Sequence, residues 1–96
     1  MSNPATSSGL KTADAAIMAM PGKLKGLIVI ATGAAATVTL YDNASAASGL
    51  ALAKLVVPAD NTQELNFHDC GVVANNGIYA DVSGADAAYI VHFVAG

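Results

Sequence analysis

The sequence predicts an all-β fold: an antiparallel β-sandwich, jelly-roll-like, of seven or eight strands. Three observations lead there. Short apolar runs alternate with clusters of Gly, Pro, Asn and Asp; several runs alternate apolar and polar residues with a period of two; and no stretch carries convincing helical spacing.

Residues 1–12 are rich in Ser, Ala, Thr, Asn, Pro and Gly and show no hydrophobic period, which reads as a flexible N-terminal arm. Residues 13–96 form the single domain. Ala15–Met20 is the first strand, stopped by Pro21-Gly22. Lys23–Thr32 follows, and its centre Leu27-Ile28-Val29-Ile30 is apolar on both faces, so both faces should be covered. In a sandwich one face meets the core, which leaves the other for a partner.

Gly33-Ala34-Ala35 turns the chain into Ala36–Asp42, where Val38 and Leu40 alternate with Thr37, Thr39 and Tyr41. Asn43–Gly49 is a bland loop. Ala44–Lys54 has some helical propensity, but Ser45, Ser48 and Gly49 interrupt it. Leu50–Val57 is the next strand, closed by the turn cluster Pro58–Thr62.

Gln63–Cys70 sets Leu65 and Phe67 against Glu64, Asn66 and His68. Asn75-Asn76-Gly77 is a turn, and Ile78–Ser83 places Ile78, Ala80 and Val82 opposite Tyr79, Asp81 and Ser83. After Ser83–Asp86, Ala87–Val94 closes the domain with two apolar faces, Tyr89, Val91, Phe93 and Ile90, His92, Val94. The expected core is Leu27, Val29, Val38, Leu40, Leu65, Phe67, Ile78, Val82, Val91 and Phe93.

Composition bears on how such a domain holds together. Hydrophobic residues make up 54% of the chain and charged residues 11%, against about 25% charged in an ordinary soluble domain. A chain this short buries only roughly 60–65% of its unfolded surface. Cys70 is the only cysteine, so no disulfide can form within the chain. Association with other subunits is the remaining source of stability.

The composition also weighs against other classes. The uncharged stretch Gly26–Tyr41 is shorter than the about 20 apolar residues of a spanning helix and is broken by threonines and Gly33. The opening residues lack a basic segment followed by an apolar one, so a soluble, unexported protein is expected. Four lysines, no arginine and a net charge of -3 argue against direct nucleic-acid binding.

His68-Asp69-Cys70 is the most reactive-looking triplet. Adjacent strand residues point to opposite faces, so His68 and Asp69 cannot cooperate without a bulge, although His68 and Cys70 could share a face. The plainer reading is a solvated His beside a half-buried thiol. His68, His92, Asp69, Cys70, Asp81 and Asp86 match no zinc spacing, and a site built from His92 copies at a symmetry axis is the residual alternative. Asp14, Asp42, Asp60 and Asp86 fall at turns or strand ends, where Asp serves backbone hydrogen bonding. Tyr41, Tyr79 and Tyr89 could form a sugar platform, but cross-strand packing of Tyr79 on Tyr89 explains that pair more simply. The expectation is a non-enzyme with no cofactor, no metal, no nucleic-acid partner and no membrane partner.

Lys23-Leu24-Lys25-Gly26-Leu27-Ile28-Val29, Ala36-Thr37-Val38-Thr39-Leu40-Tyr41-Asp42-Asn43-Ala44-Ser45, Asn76–Ala85 and Tyr89-Ile90-Val91-His92-Phe93 occur in this order. The order resembles small virion structural proteins of tailed bacteriophages, many of them β-sandwich capsid decoration (cement) proteins, head fibres or tail accessories. The resemblance implies a capsid-surface subunit made in the host cytoplasm, forming a homo-oligomer, with a trimer favoured. Its partner would be the major capsid protein or another virion protein. It also implies a terminal arm that reaches across subunits, matched here by Ser2–Thr12. The expected interface residues are Asn3, Pro4, Thr6 and Leu10 from the arm and Ile28, Ile30, Ile90, His92 and Val94 from the doubly apolar strands. The alternative is a tail- or fibre-associated adhesion module that binds a host-surface glycan through its tyrosines.

Overall fold

A computed structural model describes residues 5–67 and 71–95. Among them are nine strands and no helix. The strands form two antiparallel sheets packed face to face, a small β-sandwich.

The first sheet runs β1 (Thr6–Ser7), β9 (Ala88–Ala95), β3 (Gly22–Ala31) and β6 (Asn61–Asn66), with β7 (Val72–Ala74) also paired to β3. The second runs β2 (Ala15–Met18), β8 (Ile78–Ser83), β4 (Ala36–Tyr41) and β5 (Ala51–Val57). β6 and β7 occupy successive stretches of the same edge of β3: Gly26–Ala31 pair with β6 and Gly22–Leu24 with β7. They are two parts of one interrupted strand. Seven or eight strands were expected; the higher number comes from this break and from β1.

Period-two alternation puts Leu27, Val29, Val38, Leu40, Ile78 and Val91 in the core, as expected, each fully buried. Leu65, Phe67, Val82 and Phe93 pack against that core from half-buried positions nearer the rim. Tyr89 is the largest fully buried side chain, joined by Leu24, Val57 and several alanines. The alanines matter because sheets carrying small inward residues can approach closely.

Three expectations need correction. The arm does not stand free over residues 6–11. It runs along β9, with Thr6 and Ser7 paired to Phe93 and His92 and Lys11 bridged to Tyr89. These bonds are made by backbone groups and by the Ser8 hydroxyl, so no side-chain period announces them. Second, Gln63–Cys70 is not one strand: pairing ends at Asn66, and residues 68–70 lie outside the described residues.

Third, Tyr79 and Tyr89 are not cross-strand neighbours, because β8 and β9 belong to different sheets. The direct partners of Tyr79 are Tyr41 on β4 and Ala16 on β2.

The aspartates do hold backbone. Asp42, only 7% exposed, accepts the Asn76 amide at 2.7 Å and so ties the end of β4 to the turn before β8. Asp60, at φ 61°, accepts the Gly33 amide at 3.1 Å, linking two turns. Asn43 accepts the Ser45 and Ala46 amides at 2.9 and 3.0 Å, which fixes 43–48 as a turn instead of a helix.

Candidate interaction surface

The outer face of the first sheet begins at a defect. β3 and β9 pair in register from Gly22↔Ala95 to Leu24↔Phe93 and resume at Gly26↔His92, so Lys25 is an extra residue, a β-bulge. Below the bulge the even residues of β3 face the core; above it Leu27, Val29 and Ala31 do. The shift turns Ile28 and Ile30 outward.

Register then aligns four rungs across this outer face. Thr62, Ile30 and Ala88 form one; Glu64, Ile28 and Ile90 form the next. Asn66, Gly26 and His92 follow, with Ser7 completing the rung on β1. Val73, Lys23 and Val94 form the last. Ile28, Ile30, Ile90, His92 and Val94, expected as interface residues, therefore share one face on adjacent rungs, all half-buried.

The arm residues are dispersed differently. Thr6 lies on the edge strand opposite Phe93, and Leu10 sits beyond that ladder, 62% exposed. Asn3 and Pro4 lie outside the described residues.

Gly26 has no side chain on its rung, and the gap is a hollow of about 350 Å³ walled by Lys25, Glu64, Asn66 and His92. A shallower hollow of about 240 Å³ lies against Ile28, Thr62 and Glu64. The face is thus an apolar band of isoleucines and valines, indented in the middle and edged by Lys23 and Glu64. Val73, 57% exposed at its margin, was not among the expected residues. The Val72-Val73 run before the Asn75-Asn76 turn was the signal for it.

The outer face of the second sheet has another chemistry. Tyr41 pairs with Tyr79, and Thr39 lies between Lys54 and Asp81. The Asp81 carboxyl is raised above its ordinary value, by desolvation first and then by the nearby Asp14. Asp14 also accepts the Val82 amide at 2.8 Å. Tyr89 donates its hydroxyl to the Ala13 carbonyl at 2.6 Å, and its pKa is pushed up to about 12, chiefly by burial, then by Asp14 and Tyr79. With Tyr89 inside the core, only Tyr41 and Tyr79 are placed to meet a ligand.

His92 lies on the first outer face and Asp81 on the second, while Asp86 is in the turn before β9. Among the described residues no group of three or more His, Cys, Asp and Glu is placed to hold a metal ion. The His68-Asp69-Cys70 triplet lies outside them. No helix among the described residues is long and apolar enough to cross a membrane. Comparison with protein-family models, with curated proteins and with solved structures gives no match to this chain.

Proposed function

We propose that this chain is a virion structural subunit of the capsid decoration (cement) kind, which assembles as a homo-oligomer, a trimer by preference, and stabilises a shell by covering its seams. The observation that carries the reading is the outer face of the first sheet, where Ile28, Ile30 and Ile90 occupy two adjacent rungs and Val94 lies two rungs further along the same face, in a chain poor in charge. Contiguous apolar surface of this sort marks interaction sites. At about 25 cal/mol per Å², burying roughly 1,000 Å² of apolar surface contributes about 25 kcal/mol before association costs.

The strand order supports the same reading by analogy of fold. With β6 and β7 taken as one interrupted strand, the eight strands in chain order fall as first, eighth, third, sixth in one sheet and second, seventh, fourth, fifth in the other. That order is consistent with the jelly-roll-like arrangement proposed for this chain, one common in viral capsid domains and also in lectins and other proteins. Sedimentation of the purified chain tests the assembly, and imaging of particles with and without it tests the location. A discrete oligomer that binds shells supports the proposal; a monomer without affinity for them contradicts it.

The paired Tyr41 and Tyr79, beside Thr39 and Asp81, favour a second reading as a tail- or fibre-associated module that binds a host-surface glycan. Glycan-array binding lost in both Tyr41→Ala and Tyr79→Ala would displace the cement reading.

A further inference from the structure

Asn76 is the only asparagine of the sequence followed by glycine, and it is exposed while Gly77 is buried. An asparagine so placed loses its side-chain nitrogen without any enzyme. The Gly77 backbone nitrogen gives up its proton and attacks Asn76 Cγ. An N–Cγ bond forms, the Cγ–Nδ2 bond breaks, and ammonia leaves behind a succinimide ring. Water then opens the ring at either carbonyl, giving aspartate or isoaspartate. Glycine favours the attack because no Cβ crowds its nitrogen. At Asn43, Asn61, Asn66 and Asn75 the next residue carries a side chain.

The fold pins this peptide from both sides. The Asn76 amide donates to Asp42 Oδ1 at 2.7 Å, and Asp42 is itself anchored, its own amide donating to the Leu50 carbonyl at 2.7 Å. Just after Gly77, Ile78 is paired with Met18. Gly77 lies between two stretches of backbone: a Cβ there would run into the Met18 carbonyl oxygen and stand 3.1 Å from Ala44 Cα and 3.3 Å from the Asn43 carbonyl oxygen. Ring closure rotates the Asn76–Gly77 peptide, and a peptide held in this way rotates only when a contact breaks. Such opening is local and does not require the sandwich to unfold.

We propose that Asn76 is a deamidation site governed by Asp42: the carboxylate keeps the Asn76–Gly77 turn closed to cyclisation, and its release starts an irreversible change. The product adds one negative charge to a chain of net charge -3 and places it in the turn that Asp42 holds. Like charges in one turn repel. Isoaspartate also lengthens the backbone by a methylene just before the Ile78↔Met18 pair. Each conversion therefore weakens the tie between the end of β4 and the start of β8.

The test follows Asn76 in the whole chain at mildly alkaline pH, read as the amide-to-acid mass gain and located by fragmentation, with circular dichroism reporting the fold. In the folded wild type the rate is expected to be at least about tenfold lower than in denaturant. Folded Asp42→Ala should convert on the order of tenfold faster than the folded wild type, the opening factor of one lost charge-assisted hydrogen bond. Leu27→Ala, which weakens the core from the other sheet, should stay near the wild-type rate. Equal rates in folded and denatured wild type, an Asp42→Ala rate no higher than the wild type, or a Leu27→Ala rate raised as far as that of Asp42→Ala would each overturn the proposal. Should Asp42→Ala fail to fold, Asp42→Asn keeps an oxygen for the Asn76 amide without the charge. A rise of about threefold in that variant supports the proposal, and an unchanged rate overturns it.

Discussion

Ile28 on β3 and Ile90 on β9 stand directly opposite each other on the outer face of the first sheet, one residue along each strand from the buried Leu27 and Val91. Both faces of the central strand pair are therefore apolar. The inner face has the second sheet to cover it. The outer one has only its own neighbours on adjacent rungs.

Placing a charge in this pair should separate assembly from folding. In Ile90→Asp the fold loses one cross-strand contact, worth about 0.2–1 kcal/mol. The subunit contact loses far more, because the carboxylate must be desolvated when the face is covered. The expected outcome is a β-type circular dichroism spectrum like that of the wild type together with a shift to monomer in sedimentation. A variant that stays fully assembled would move the interface elsewhere.

Core truncations should behave differently from surface ones. Leu27→Ala or Leu40→Ala removes a fully buried side chain and is expected to cost about 2–5 kcal/mol. Val73→Ala, at an exposed position, should change stability by less than about 0.5 kcal/mol. Denaturant titration under conditions that hold the oligomeric state fixed measures both.

Gly77 lies at φ 150°, and a Cβ there would run into the Met18 carbonyl oxygen. Gly77→Ala should destabilise by about 1–3 kcal/mol, since both the backbone conformation and the contact oppose it. Gly33, also at positive φ but with open space around it, should tolerate Ala better, and thermal melts of the two variants give the comparison.

Acid stability should depend on Asp42. Its carboxyl is held below the ordinary value, first by the Asn76 amide, which outweighs the opposing effect of desolvation, and then by the amides of Asn75 and Gly77. A depressed folded value gives stability that is present above the unfolded value, 3.8, and is lost as pH falls through the folded one. Asp42→Asn should remove that loss from the acid limb of the stability curve. Asp81 has the opposite sign: its raised folded value makes stability greatest below 3.8 and lets it decline as pH rises through the folded value. Equilibrium unfolding across pH separates the two.

The sandwich was legible because β3, β4, β8 and β9 each bury one row of alternating residues, and alternation is written directly in the side chains. The doubly apolar runs Leu27–Ile30 and Tyr89–Val94 likewise marked the outer face. The docking of residues 6–11 along β9 was not legible, because apart from the Ser8 hydroxyl it rests on backbone groups that every residue possesses. Nor was the bulge at Lys25, which depends on the register against β9 and not on any residue near it in sequence. The place of Tyr89 is hidden for a related reason: strands consecutive in sequence are not neighbours here, because the chain crosses between sheets after β8.

The most direct test of the whole account is the native mass of the purified chain at rising concentration. A discrete multiple of the 9.5 kDa subunit, three copies in the favoured case, is the predicted result. A well-folded species that remains at 9.5 kDa up to high concentration, with the isoleucine face in water, would contradict it.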